Sequence, residues 1–212
     1  MSTLLDIHAH HLPQMPGEAI VNCYPDSFVP EVGGWYSVGV HPWHITNSIV
    51  RDESKNLLLL LEHPQVLAVG EAGLDKMAGA SMPVQIEYFE WQARMAMAIN
   101  KPLIIHLVKA FEELLKLKQA IHPVNPWIIH GFRGKAILAE EYLRHGFYLS
   151  FGEKYQEEAI RAVPAHRLFL ETDESTVPIM ELYNRVAEVR GISCNELRET
   201  VSENIDKVFF KH

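Results

Sequence analysis

A chain of 212 residues, 48% of them apolar and 22% charged, has the composition of a globular domain and is too rich in apolar side chains for a disordered one. Nineteen Lys and Arg against 27 Asp and Glu leave a formal charge of −8, the wrong sign for a protein that holds long duplex DNA through a broad phosphate footprint. Two cysteines, Cys23 and Cys194, exclude a disulfide scaffold and a cysteine zinc site. The longest aliphatic run, Leu57 to Leu61, is far short of the roughly 18 apolar residues that span a bilayer, so no membrane partner is expected. The opening Met1-Ser2-Thr3-Leu4-Leu5-Asp6 lacks a basic segment and meets an acid too early for a signal peptide, and the expected location is cytoplasmic. Histidine stands out, with 12 residues, and imidazole is the commonest transition-metal ligand.

Taken in chain order, eight short apolar runs predict strands: Leu4 to Ile7, Ala19 to Cys23, Trp35 to Val40, Val66 to Val69, Leu103 to Ile105, Trp127 to Ile129, Phe147 to Leu149 and Leu168 to Leu170. Continuous apolar runs, rather than alternating ones, suit strands buried on both faces in a parallel sheet. Helical patterns fill most gaps from the third strand onward. Val84 to Asn100 puts Ile86, Phe89, Ala93 and Met97 on one stripe, read as core packing. Lys135 to His145 and Val177 to Arg190 end at Gly146 and Gly191, where a left-handed residue is wanted. Ser193-Cys-Asn-Glu196 is a capping box opening a last helix that carries Leu197, Val201, Ile205 and Val208 on one face. There is no repeat or linker, so residues 1–212 read as a single α/β domain, and eight strands in this length predict a TIM-type (β/α)8 barrel. The connectors Leu12 to Glu18 and Tyr24 to Gly34 are rich in Pro and Gly and too short for ordinary helical crossovers. The barrel is therefore expected to be shortened around strands 1–3, with two helices missing.

The polar residues at the strand ends point to chemistry. His8 and His10 close the first, His41 the third, Glu71 the fourth, His106 the fifth, His130 the sixth and Asp173 the eighth. Residues two apart on a strand share a face, so His8 and His10 point together, and in (β/α)8 enzymes the C-terminal strand ends converge on the active site. A single His or carboxylate at a strand end has an ordinary structural explanation. Six of them buried together would be costly without partners, and divalent cations supply those partners. Neutral nitrogen and anionic oxygen donors suit one or two ions of Zn, Mn, Fe or Ni. His63, His122 and His145 fall at helix exits and read as structural; His166 precedes a strand and His212 is terminal. His11 and His44 lie near the site without an assigned role. The pairs Glu140-Glu141 and Glu157-Glu158 read as solvated helix faces.

Six segments, in order, resemble the motifs of the TatD family of metal-dependent deoxyribonucleases and hydrolases in the amidohydrolase superfamily. They are Asp6-Ile-His8-Ala-His10, Val38-Gly-Val-His41-Pro42, Val69-Gly-Glu71-Ala-Gly73-Leu-Asp75, Pro102-Leu-Ile-Ile-His106, Ile129-His130-Gly-Phe132-Arg133-Gly134 and Leu170-Glu171-Thr172-Asp173. The resemblance extends through Val201, Asn204 and Phe209 of the closing helix. It implies a (β/α)8 barrel acting on phosphoester bonds with Mg or similar ions. By position it also implies that His8, His10 and Asp173 hold one ion, His106 and His130 the other, and Glu71 bridges them. This chain departs from the family in its short first third, in Val108 followed by Lys109 where an Arg is common, in Lys76-Met77 after the third motif, and in Asp173-Glu174-Ser175, which lacks a proline. The departures fall on the substrate wall and spare the strands that carry the ligands.

The expected reaction is hydrolysis by a metal-activated water, with two divalent ions (Zn, Mn, Mg, Fe or Ni) as cofactors. Asp173 is expected to orient that water and take its proton, with Glu71 as its catalytic neighbour. His41, Arg133 and Lys109 are expected to bind the substrate's phosphate. Glu171 and Asp6 share inward faces with the ligands and are candidates to fix imidazole tautomers, with a plain structural role as the equal alternative for both. The expected substrate is a small phosphoester or a short nucleic acid, as for a deoxyribonuclease, exonuclease or small phosphodiesterase, without stable binding to duplex DNA. Two other readings keep the same metal set: hydrolysis of carboxylic esters, lactones or amides, and a metal-binding barrel without turnover.

Overall fold

The computed structural model describes residues 4–45 and 53–210; residues 1–3 of the opening segment and His212 lie outside the described residues. All eight expected strands form: β1 (Asp6–Ala9), β2 (Ala19–Cys23), β3 (Trp35–Val38), β4 (Val66–Asp75), β5 (Leu103–Val108), β6 (Trp127–Ile129), β7 (Tyr148–Phe151) and β8 (Leu168–Leu170). They pair in parallel in strict chain order, β1 to β8. A parallel bridge between Ala9 and Asp173 brings the end of the sheet back to its beginning. There the His10 N–H donates to the Asp173 carbonyl and the Asp173 N–H to the His8 carbonyl, each at 2.9 Å. The closure thus runs through three of the residues singled out in the sequence.

Among the described residues the α-helices are α1 (Glu53–Leu61), α2 (Met82–Ala98), α3 (Phe111–Ile121), α4 (Ala136–Arg144), α5 (Glu157–Ala162), α6 (Ile179–Arg190) and α7 (Cys194–Ile205). The β1–β2 and β2–β3 connectors, both fully described, hold no helix, as expected from their prolines and glycines. The second is pinned by side chains: the Tyr36 hydroxyl accepts from the Glu31 N–H at 2.8 Å, and the Gln65 amide donates to the Glu31 and Gly34 carbonyls at 2.6 and 2.8 Å. The Ser193 cap forms, its hydroxyl accepting from the Glu196 N–H at 3.2 Å. The last helix ends sooner than its apolar face suggests, and Asp206–Phe210 continue as a wider π-type turn that still buries Val208 and Phe209.

Two expectations are corrected. β4 and β5 run to Asp75 and Val108, past the predicted ends at Val69 and Ile105, because Ala72 to Asp75 pair with Ile105 to Val108. Glu71 and His106 therefore sit inside paired strands and not at their ends. The buried face of α2 is also rotated from the apolar stripe, taking in Gln85, Tyr88, Phe89, Gln92, Ala93 and Ala96, with Ile86 and Met97 half-buried. Polar side chains face the sheet here because each amide satisfies strand-end backbone. Gln92 accepts from the Val40 N–H at 2.7 Å and donates to the Val40 carbonyl at 3.1 Å, and Gln85 does the same for Asp75 at 2.7 and 2.9 Å.

At the opposite end of the barrel, the Lys118 ammonium lies over the rings of Trp127 and Phe147, 5.0 and 4.9 Å from their centroids. Burial, with Arg167 nearby, pushes it down from 10.5 to about 8. Between those values the unfolded chain keeps a proton that the native state has released, so this group's contribution to stability rises with pH. Relative to Lys118→Met, the wild type should gain about 1–3 kcal/mol between pH 7.5 and 10.5, the two rings offsetting part of the burial penalty. Urea denaturation of both proteins at the two pH values measures this, and parallel curves would show a fully solvated ammonium. No helix among the described residues is long and apolar enough to cross a membrane.

Candidate metal centre

Glu71 is the hub. Its carboxylate is 4% exposed at the C-terminal end of the barrel. Oε2 faces His8 Nε2 at 3.4 Å and His10 Nε2 at 3.5 Å. Oε1 faces His130 Nε2 at 2.8 Å, His106 Nδ1 at 2.9 Å and His41 Nε2 at 3.2 Å. Asp173 stands across from the first pair, its Oδ1 at 3.9 Å from His8 and 3.6 Å from His10. Its other oxygen is 3.8 Å from Arg133 Nη2. The structure thus brings His8, His10, His41, Glu71, His106, His130 and Asp173 into one connected cluster, with Arg133 at its edge. Lys109 lines the same cavity, of about 660 Å³, from an exposed position.

Backbone packing explains why the cluster is so tight. A Cβ on Gly73 would collide with the carbonyl oxygen of His106, and one on Gly70, whose φ is +144°, would meet the Ile104 carbonyl at 2.7 Å. Only glycine allows β4 and β5 to approach this closely where they carry Glu71 and His106. The Glu71 N–H is held by the Asn22 side-chain oxygen at 2.8 Å.

A second layer of carboxylates orients the imidazoles. Glu171 Oε1 accepts from His130 Nδ1 at 3.2 Å and from the Gly131 N–H at 2.6 Å, leaving Nε2 of His130 turned to Glu71. Asp75 Oδ2 lies 3.1 Å from His106 Nε2, leaving Nδ1 of that ring turned to Glu71. Asp6, a candidate either to fix an imidazole tautomer or for a plain structural role, takes the structural one. Its carboxylate accepts from the Thr172 hydroxyl at 2.7 Å, the Thr172 N–H at 3.1 Å and the His8 backbone N–H at 3.2 Å. It fastens backbone across the closure and touches no imidazole in these bonds, because its carboxylate is taken up by neighbours on the adjoining strand end. His41 differs from the other rings. Its Nδ1 accepts from the Trp43 N–H at 3.1 Å, so the neutral ring carries its proton on Nε2 and donates it to Glu71. His44 packs on Tyr24 with ring centroids 4.2 Å apart at the cavity wall, while His11 is exposed.

The electrostatics arise from this crowding. Burial pushes the Glu71 carboxyl up, but His130, His10 and His106 outweigh it and hold the group well below its ordinary range. Burial pushes the His130 ring down, and the carboxylates of Glu71 and Glu171 outweigh that in turn, raising it well above the ordinary histidine range. The hydrogen bond to Glu71 raises His10, whereas burial lowers His41.

The donor set fits a cation. His8 is fully buried, and among the described residues neither of its ring nitrogens has a hydrogen-bond partner. A buried imidazole facing two carboxylates without a hydrogen bond is accounted for by a cation between them. Three overlapping groups each bring one nitrogen or oxygen per residue within 4.8 Å: His8, His10 and Glu71; His8, His130 and Asp173; and His41, Glu71 and His106, the last a ligand set only once His41 Nε2 has lost its proton.

The chain matches the TatD related DNase family over residues 30–210. It is 32% identical over 166 residues to the human 3′-5′ RNA nuclease TATDN2, covering 73% of this chain and 22% of that protein. It is 30% identical over 191 residues to the uncharacterized metal-dependent hydrolase YabD of Bacillus subtilis, covering 79% of this chain and 75% of the relative. A 3′-5′ ssDNA/RNA exonuclease TatD of Cronobacter turicensis is 32% identical over 178 residues, 76% of this chain and 65% of its own length. Among solved structures, the TatD homolog YjjV of Escherichia coli superposes with a TM-score of 0.84 at 19% identity, covering 100% of this chain and 99% of that one. A TatD family hydrolase of Entamoeba histolytica does so at 0.80 and 16% identity, covering 98% of each. With the barrel, the ordered motifs and the match over most of its length, the chain belongs to the TatD-related DNase family.

Proposed function

We propose that this protein is a cytoplasmic divalent-metal-dependent phosphodiesterase that removes nucleotides from the 3′ ends of short single-stranded DNA or RNA. The observation that carries this reading is Glu71, whose two oxygens each face a separate set of imidazoles. That arrangement suits two ions: His8, His10 and Asp173 holding one, His106 and His130 the other, and Glu71 both. When bound, the ions supply a lowered water pKa and positive charge for the entering and leaving oxygens. Asp173 is suited to take the proton from the attacking water, because one of its oxygens faces His8 and His10 while the other looks toward Arg133 and the cavity. Arg133 and Lys109 supply cationic donors to the phosphate. His41 supplies an N–H and, in its present tautomer, no lone pair to a metal.

A pocket of this kind handles one phosphate well and a polyanion badly. Two divalent ions bring about +4 to the site against a chain at −8 overall, so a substrate end is attracted where a long duplex is repelled. The test is a 5′-labelled single strand incubated with protein that has been stripped of metal and reloaded. A ladder shortening from the 3′ end, with covalently closed plasmid left intact, is the expected result. Affinity for the strand should depend weakly on salt, with a log–log slope of about −0.7 to −2, corresponding to one to three phosphates on a single strand. A steep slope or cutting within closed circles would show an extended binding surface. Inertness toward every phosphoester, with clear turnover of carboxylic esters, lactones or amides, would overturn the reading in favour of those substrates.

A further inference from the structure

We propose that Trp43 is a specificity residue whose indole face stacks the base beside the bond being cut, so that the site selects phosphodiesters carrying an unpaired base at that position. This rests on the phosphodiesterase reading and deepens it. Trp43 lies on the short 3-10 turn Pro42–His44 that comes after His41, and it is 66% exposed, although it lines the same cavity as the metal-centre residues. Its polar edge is not free: Nε1–H donates to Asp75 Oδ2 at 2.7 Å, the same oxygen that lies 3.1 Å from His106 Nε2. Asp75 is 1% exposed and also accepts from the Met77 N–H at 2.7 Å, so the carboxylate that anchors the indole is itself fixed.

The outcome is a large flat apolar surface held in one orientation and left open to solvent. Its centroid is 5.7 Å from the ring of His41, which in turn touches Glu71. An anchored ring loses little freedom on binding, which favours stacking over a mobile surface aromatic. The tilted pair Tyr24 and His44 also lines this cavity, as does Arg133, which lies 3.8 Å from Asp173. A base on Trp43 and a phosphate over the cluster is the division of labour this layout offers, and every base presents a face that can stack.

The test uses two 5′-labelled five-nucleotide strands that differ only in their last two 3′ residues, which carry bases in one strand and abasic spacers in the other. Binding is measured by fluorescence anisotropy with Mn²⁺ present, and Asp173→Asn is built into every protein to stop turnover. The base-bearing strand should bind roughly ten-fold more tightly than the abasic one. Trp43→Ala should weaken only the base-bearing strand and erase that difference. Trp43→Phe, which keeps a ring but loses the N–H, should preserve most of it. The proposal is overturned if Trp43→Ala weakens both strands alike, if the preference for bases survives Trp43→Ala, or if neither strand binds. Failure of the phosphodiesterase reading would look different: no turnover of the base-bearing strand by protein with Asp173 intact, with the two-strand binding contrast still present.

Discussion

Asp173→Asn is expected to leave the barrel and most of the bound metal in place while turnover falls by about 10² or more, the usual scale for a general base. The substitution isolates the carboxylate because the rest of the residue is committed to the fold. Asp173 has φ +56°, a left-handed conformation that Asn tolerates as well as Asp does and that Ala does not. Its N–H and carbonyl make the two 2.9 Å hydrogen bonds that close the barrel onto β1, and Asn keeps both. One side-chain oxygen also remains to face His8 and His10. Asp173→Ala should therefore lose stability as well as turnover, and the comparison separates the two effects. Steady-state kinetics with parallel metal analysis decides the matter. If Asp173→Asn retains turnover within a few-fold, Asp173 serves only as a ligand and the base lies elsewhere.

The parts of this site legible in the sequence are those that obey strand alternation. His8 and His10 share a face two residues apart, and both reach Glu71. His106, His130 and Asp173 come after apolar runs whose C-terminal ends converge in this architecture. Asp75 is invisible to a reading that ends the fourth strand at Val69, because its role depends on the strand continuing. Carried on to residue 75, alternation puts Glu71, Gly73 and Asp75 on one face, and Gly73 is where β5 presses closest. Asn22 carries a fainter signal, as a lone amide in an apolar strand; it holds the Glu71 backbone and accepts from the Ser37 hydroxyl at 3.3 Å. Gln85 and Gln92 leave no mark that helical periodicity can detect. They break the apolar stripe because their amides satisfy Val40 and Asp75, a requirement set by strand ends far away in the chain. Local propensity accounts for the elements, and the second layer of the site emerges only from their register.

Glu71→Gln is expected to have the largest effect on metal content of any single change in the cluster. The glutamine keeps the volume of the side chain but replaces one acceptor oxygen by a donor amide and removes the charge that faces His8, His10, His41, His106 and His130. If Glu71 is shared by two ions, both sites lose their common anion, so bound metal should fall from up to two ions per chain to less than one. Activity should drop by about 10³-fold or more, the scale of losing several kcal/mol of transition-state charge stabilisation. His8→Ala with His10→Ala makes a milder prediction, removing ligands from one site and leaving His106, His130 and Glu71 to hold the other ion. Elemental analysis distinguishes the two cases. The Glu71 and Glu171 carboxylates raise His130, so protons compete with metal for that ring, and affinity in the wild type should fall as pH drops, starting above the ordinary histidine value of about 6.5. Removing the Glu71 charge lowers His130 toward its ordinary range, and the onset should move to lower pH in Glu71→Gln. Unchanged stoichiometry in Glu71→Gln would mean that the carboxylate lies beside the metal without binding it, and the two-ion assignment would fall with it.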